Sequence, residues 1–416
     1  MRVFYVTHDV TSYIVPGVNA IGVITGRGWY TQEGMGQPCF TMQMSINATD
    51  AQDNDQSFWL SSADNSWTTA LGPIVENDIY NGETYDARLE TPGWDEPGFN
   101  DSTWKTPTVS PGPLGALTSM QIPPVEVIME LPAVSVKQPQ PGIYVVDFGR
   151  HLSGHCRLTV LAPTTPGVTV VLQHAEILQA DGSGMIYTAE LRSAKATDTY
   201  ITKGSSANEI YEPRFTYHGF RYVQITGLPY APDLSTLVAV HVRSSVNQKG
   251  WVDFSLPALN QVQSLVYWSQ ATNLMSVPTD CDNRDERKGW MGDAALTADE
   301  AYHNFDMPAF YTSFLDLIQD EQPLDPANSV PDTVPYTWGG RQGDPAWMSA
   351  YPTILYGMYR YYGDTRVVQQ HMDSIGAMLF SLAGIAKQNL ANLYSPYGDW
   401  VNNDCIRAVP FNAMCK

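Results

Sequence analysis

Positive charge is scarce in this chain. Its 416 residues include 23 Lys and Arg against 43 Asp and Glu, for a formal charge of −20. That balance argues against a nucleic-acid backbone as partner, though it says nothing about fold. No stretch reaches about 18 uninterrupted apolar residues, so no membrane-spanning helix is expected. Cysteines are few and scattered, at Cys39, Cys156, Cys281, Cys405 and Cys415. They form no CxxC pair and no zinc spacing, and an odd number does not describe a disulfide scaffold. The histidines form no HExxH pattern, and His174, His218 and His303 read as isolated hydrogen-bonding residues. Glycine-rich stretches lack the strand–glycine–helix setting of a dinucleotide or phosphate loop. Neither cofactor nor metal is therefore expected. The opening MRVFYVTHDVTSY lacks the shape of a secretory leader, because His8 and Asp9 break its apolar run. Compartment stays open between secreted and cytoplasmic.

Aromatic residues, by contrast, are plentiful, with 11 Trp and 23 Tyr. They suit stacking on sugars, and β-rich cores use the same residues. The length is enough for about two to four domains.

Residues 1–125 read as β structure with turns. VNAIGVITG (18–26) is a strand candidate, CFTMQMSINA (39–48) alternates, and ETYDARLE (83–90) follows the turn dipeptide Asn81-Gly82. Asn47-Ala-Thr49 is a formal glycosylation sequon, a weak signal. The stretch from Pro107 to Pro124 is rich in proline, serine and glycine, which predicts a linker or long loop. A second β region spans 126–245, with strand candidates VVDF (145–148), CRLTVLA (156–162), VTVVLQHAEIL (168–178) and FRYVQITG (220–227). Their regular spacing favours a sandwich. Near residue 255 the period changes from 2 to 3.6. Helices are predicted at about 256–275, 293–304, 307–320, 346–362 and 366–388, in a third region spanning 246–416. In YGDTR (362–366) a glycine stop precedes Asp364 or Thr365 as the next helix cap.

The sixteen residues Pro278–Asp293, PTDCDNRDERKGWMGD, concentrate charge in a chain where only 16% of residues are charged. Asp280, Asp285, Glu286 and Asp293 are the carboxylates of first interest. Gly289 and Gly292 argue for a loop that feeds a helix at Asp293. A carboxylic acid among other carboxylates beside Trp290 can have a raised pKa and serve as a general acid. Arg284 and Arg287 pull the other way. Three readings stay open on chemistry alone: a solvated charged loop, a pocket for a sugar or other polar ligand, and a divalent-cation site. The cation reading is weakened because the acids do not match a calcium-loop spacing. GGRQGDPAW (339–347) offers a second rim loop, with Trp347 as a sugar platform, or else a plain loop before a proline-started helix. YGDW (397–400) repeats the turn of YGDTR but ends in an aromatic.

PTDCDNRDERKGWMGD resembles the signature of alpha-L-rhamnosidases of glycoside hydrolase family 78, whose typical form PTDCPQRDERLGWTGD agrees at 12 positions. GRGWY (26–30), GPIVENDIYNGETYDAR (72–88), VVDFGRHLSGHCRL (145–158), HAEIL (174–178), LRSAKATDTY (191–200) and PRFTYHGFRYVQITG (213–227) resemble family segments in family order. NLMSVPTD, GDPAW and YGDTR continue the series. The resemblance implies two antiparallel β-sandwiches followed by an (α/α)6 toroid. It implies hydrolysis of terminal alpha-L-rhamnose from rhamnosylated glycosides or polysaccharides with inversion, without a cofactor. Glu286 matches the family's general acid. Asp280 and Asp293 match its rhamnose-holding acids, Arg284 and Trp290 match the same motif, and Trp347 falls in a segment that lines the pocket. The family's general base, a glutamate far downstream, has no match. The toroid and the first sandwich are thus expected to be incomplete. A catalytically inactive rhamnoside-binding remnant, or another carbohydrate-active enzyme on the same toroid, are the alternatives.

Overall fold

The computed structural model describes residues 2–49, 55–63, 66–112, 115–387, 389–398 and 409–410. The stretch 399–408 holds Asp399, Trp400 and Cys405, and 411–416 holds Cys415, so these lie outside the described residues.

The first region carries β1 (Arg2–Tyr5), a single helical turn α1 (Trp29–Gln32), β2 (Gln43–Thr49), β3 (Asp55–Ser61), β4 (Ile74–Asp78), β5 (Gly82–Asp86) and β6 (Ala116–Ser119). β2 and β3 form an isolated antiparallel hairpin, and β1 pairs in parallel with β6. The expected strand at 18–26 is absent: the segment carries no regular secondary structure. Its Ile21, Val23 and Ile24 stay partly exposed, so nothing rewards an alternating pattern there. The expected linker at 107–124 is more ordered than its composition predicts. It contributes β6, and Ile122 is buried in the helical core. The β1–β6 ribbon is tied to the helices by Arg2, whose guanidinium donates to Asp320 (2.8 and 2.9 Å) and Asp316 (2.7 Å).

The second region adds β7 (Val125–Pro132), β8 (Ser135–Gln140), β9 (Ile143–Val160), β10 (Thr169–Ala175), β11 (Ile177–Leu178), β12 (Ile186–Tyr187), β13 (Thr197–Ile201), β14 (Glu209–Tyr211), β15 (His218–Thr226) and β16 (Leu237–Ser244). The main sheet runs β4-β5-β13-β10-β15-β9-β16-β7, with β8 and β14 also on β9. All its pairs are antiparallel except β5 with β13. The hairpin β4–β5, read with the first region in sequence, thus lies in the sheet of the second. The long β9 bends this sheet around an apolar core that includes Leu152, Leu158, Leu172, Phe220 and Ile225.

After residue 255 the described regular structure is mainly helical: α2 (Pro257–Thr272), α3 (Met291–Asn304), α4 (Pro308–Glu321), α5 (Pro345–Met348), α6 (Ala350–Tyr362) and α7 (Thr365–Ala386). The order of two β regions and then a part of a helical toroid is the architecture expected. The helix predicted over 346–362 is split at Ser349, because Pro352 near the start of α6 lacks an N–H and crowds the preceding turn. Gly363 ends α6 with φ 65° and Asp364 caps α7 by accepting from the Val367 amide (3.1 Å), as the spacing predicts. Phe310, Tyr311, Phe314, Tyr351 and Ile354 fill the core between α3, α4, α6 and α7. No helix of the described residues is long and apolar enough to cross a membrane.

Candidate active site

The loop from Thr279 to Trp290 sits where the helical region meets the second β region. It is not a solvated charged loop, because Asp282, Asn283, Glu286, Arg287 and Lys288 are all buried. Asp280 closes its base: its amide donates to the Lys288 carbonyl (3.0 Å) and its carboxylate accepts from the Lys288 amide (2.8 Å). Gly289 is needed for close approach: its carbonyl accepts from the Val334 amide (2.8 Å), and a β-carbon on it would strike the Val334 carbonyl. The helix α3 starts at Met291, two residues before the expected Asp293. Gly292 falls in its first turn because the Trp347 ring lies against its α-carbon. Asp293 therefore occupies the first turn without capping it by a side-chain bond, and there it feels the positive end of the helix dipole.

Arg287 explains how the loop is held. Its guanidinium is 2% exposed yet faces no carboxylate. It donates instead to the carbonyls of Ile79 (2.9 Å), Asn283 (2.8 Å), Arg284 (3.1 Å) and Tyr217. Two of these belong to the loop and two to the β region, so one side chain staples both. The rings of Tyr80 and Tyr217 flank it at 5.4 and 4.8 Å. Buried charge is tolerated when every donor finds an acceptor.

Glu286 is the centre of the polar cluster. One carboxylate oxygen accepts from Arg284 (2.8 Å) and Arg192 (2.9 Å), and the other from the Trp290 indole (2.9 Å). Its backbone carbonyl accepts from the Tyr80 hydroxyl (2.9 Å). Arg284 also reaches Asp280 at 3.2 Å, so one guanidinium spans both acids. Burial pushes the Asp280 carboxyl up to about 6, and the neighbouring Glu286 adds to that. Burial also raises Asp293, with Glu286 contributing, although its own surface remains open to solvent. Ligand atoms of Asp280, Cys281 and Glu286 lie within 4.8 Å of one another. A cation placed there would meet the Arg284 guanidinium already spanning the acids, which argues against the metal reading. Asp285 points away, toward the β region, and accepts from the Ser193 hydroxyl.

The aromatic side is built from the second loop. Asp332 organises it, accepting from the amides of Gly340 and Asp344 (2.6 Å each) and from the Tyr397 hydroxyl (2.7 Å). Asp344 in turn caps α5 through the Ala346 amide (2.8 Å). Tyr397 stands edge-on to Trp290 at 5.9 Å and lies 4.8 Å from Trp347. Trp347 packs on Gly292 with its indole nitrogen buried and unpartnered. Asp280, Arg284, Glu286 and Trp290 thus form one bonded cluster, and Trp347 reaches it through the start of α3 and Tyr397. Sequence reasoning missed Tyr80 and Arg192, both from the β region, and the pair Lys288–Glu33 set against Trp29 at 4.4 Å. The signal available was their place in the family-like segments GPIVENDIYNGETYDAR, LRSAKATDTY and GRGWY.

Three family models match in succession: the alpha-L-rhamnosidase N-terminal domain over residues 1–129, the bacterial alpha-L-rhamnosidase concanavalin-like domain over 137–243, and the bacterial alpha-L-rhamnosidase six-hairpin glycosidase domain over 247–414. A curated alpha-L-rhamnosidase of Streptomyces avermitilis is 38% identical over 413 residues, covering 96% of this chain and 38% of that protein. The solved structure of an alpha-L-rhamnosidase from Dictyoglumus thermophilum superposes with a TM-score of 0.81 at 40% identity, over 87% of this chain and 40% of that one. The Streptomyces avermitilis alpha-L-rhamnosidase crystallised with L-rhamnose gives 0.79 at 36% identity, over 86% and 34%. The chain spans 38% to 43% of the length of the curated relatives it matches. Its three β and helical parts, in this order and with this acid-bearing loop, place the chain in the alpha-L-rhamnosidase family.

Proposed function

We propose that this chain forms the sugar-holding and proton-donating part of an inverting alpha-L-rhamnosidase, acting on terminal alpha-L-rhamnose of glycosides or polysaccharides. The observation that carries this reading is Glu286, held at both carboxylate oxygens between Asp280 and the solvent-open Asp293. In this reading Glu286 protonates the glycosidic oxygen. Asp280 and Asp293 accept from rhamnose hydroxyls, and Trp290 covers the apolar side of the ring. Arg284 and Arg192 orient the acid and stabilise the carboxylate that remains once its proton has passed to the glycosidic oxygen. Inversion needs a second carboxylate across the scissile bond, far enough away to seat a water. That base is not among the matched segments, so turnover is expected to need sequence beyond this chain, whereas binding is not.

One observation favours a second assignment of the acid. Asp280 has its carboxyl raised to about 6, near the range suited to a general acid. The two assignments separate on leaving groups. In a form extended through the rest of the toroid, Glu286→Gln should lose about 10² to 10⁴ in rate toward poor leaving groups and much less toward activated aryl rhamnosides. If that asymmetry appears in Asp280→Asn instead, Asp280 is the acid. For the 416-residue chain itself, titration with L-rhamnose alongside hydrolysis of an aryl alpha-L-rhamnoside is decisive. Binding without turnover is expected. Turnover would overturn the need for further sequence, and absence of binding would overturn the sugar-holding role.

A further inference from the structure

Asp282 is one of the positions at which PTDCDNRDERKGWMGD departs from the family form, which has proline there. The structure gives this departure a partner. The Asp282 carboxylate, 4% exposed as a residue, is 2.8 Å from Nε2 of His151 on β9. It also lies so close to the backbone of β15 that a β-carbon on Gly219 would collide with it. Proline at 282 could make neither contact.

We infer that His151 and Asp282 form an inter-region clamp that positions the Glu286-bearing loop and opens when His151 loses its proton. The second ring nitrogen of His151 faces Glu176 at 3.4 Å and has no hydrogen-bond partner. Glu190 faces the same imidazole from the adjoining turn, His241 lies nearby on β16, and Arg284 adds its charge beside Glu176. Burial opposes a charge on His151, but Asp282 first, then Glu176 and Glu190, outweigh it and push the imidazole up to about 9. With its pKa raised above the ordinary value, the clamp is fully present below about 6.5 and is lost as pH rises through about 9. Arg287 holds the other end of the loop through carbonyls. The expected consequence is loosening of the 279–286 end of the loop, not its release.

These positioning roles rest on the proposed site only for their effect on sugar, so two readouts are needed. The first is amide hydrogen exchange of the intact chain, expressed as protection relative to intrinsic rates. Protection over residues 280–287 should fall between pH 7 and 10 in the wild type. It should be low at both pH values in His151→Gln and Asp282→Asn, with α6 and α7 unchanged. Rescue is also expected: His151→Lys, which keeps a cation that stays charged, should retain protection at pH 10. Equal protection in wild type and both variants would overturn the clamp. So would a uniform loss that includes α6 and α7, since that is general destabilisation. The second readout is L-rhamnose affinity at pH 7, where each single variant should weaken binding about 3- to 10-fold and the double variant no further. Additive losses, or deprotected loops with unchanged affinity, would overturn the positioning role. A wild type that binds no L-rhamnose would overturn the functional reading alone, and the exchange data would still decide the clamp.

Discussion

Two buried acid clusters in this molecule use the same kinds of side chain to opposite ends. In the β core, Asp198 sits 3.1 and 3.2 Å from Nε2 of His218, whose ring stacks on His174 at 4.2 Å. All three side chains are fully sealed. At the junction with the helices, Glu286 and Asp280 are bound by guanidinium and indole groups, and Asp293 beside them opens to solvent. The first cluster presents no atom to solvent, as a cluster that braces the fold does. The second keeps one face free. Burial alone is thus no sign of function; what separates the clusters is whether a face remains open to solvent.

The largest expected difference is in stability. Asp198→Ala should cost about 3 to 5 kcal/mol, because it leaves the buried His218 imidazole and the Glu83 amide without their acceptor. Denaturant unfolding measures this, and L-rhamnose affinity of the folded fraction should not change. A loss of affinity without loss of stability would erase the distinction between the clusters.

The pH response should differ in sign. Burial pushes His174 down to about 3, with His218 adding to the effect. The unfolded state then binds the extra proton, so stability falls as pH drops from about 6.5 toward 3, by about 2 to 4 kcal/mol. Asp280, raised to about 6, acts in reverse: the folded state binds the proton, and its contribution is lost as pH rises from about 3.8 through 6. His174→Gln should flatten the acid limb of a stability–pH curve. Asp280→Asn should raise stability at pH 7 by about 1 kcal/mol while weakening L-rhamnose binding, the expected cost of a site acid.

The same contrast explains what the sequence made legible. The helices were readable because one face of each is apolar at period 3.6, and Pro257, Pro308 and Asp364 mark their starts. The acid loop was readable because its residues are contiguous. Tyr80 and Arg192 were not, since they meet Glu286 across 206 and 94 residues of sequence. Their contacts depend on how the sheet docks on the helices, and no local pattern encodes that. The segment 18–26 failed for a related reason: an apolar alternating run becomes a strand only when another edge is there to pair with it.

Arg192 offers the finest test. It closes a short 3-10 turn with φ 57° and ψ −113°, a conformation that a side chain disfavours and glycine accepts. Its side chain is half exposed, so its ion pair with Glu286 contributes roughly 0 to 1 kcal/mol to stability. Relief of backbone strain in Arg192→Gly is worth about 1 to 3 kcal/mol, offset by about 0.5 to 1 kcal/mol of extra chain entropy in the unfolded state. The net change in stability should therefore stay within about 1 kcal/mol and lean toward stabilisation. Arg192→Ala keeps the strain, loses the ion pair and should be the less stable of the two. Both should weaken L-rhamnose binding alike, because both remove the guanidinium beside Glu286. Thermal unfolding and titration of the two variants together check this. Equal stability for glycine and alanine would mean that the turn holds no strain. Unchanged affinity in both would mean that Arg192 braces the junction without reaching the sugar site, leaving that part to Arg284.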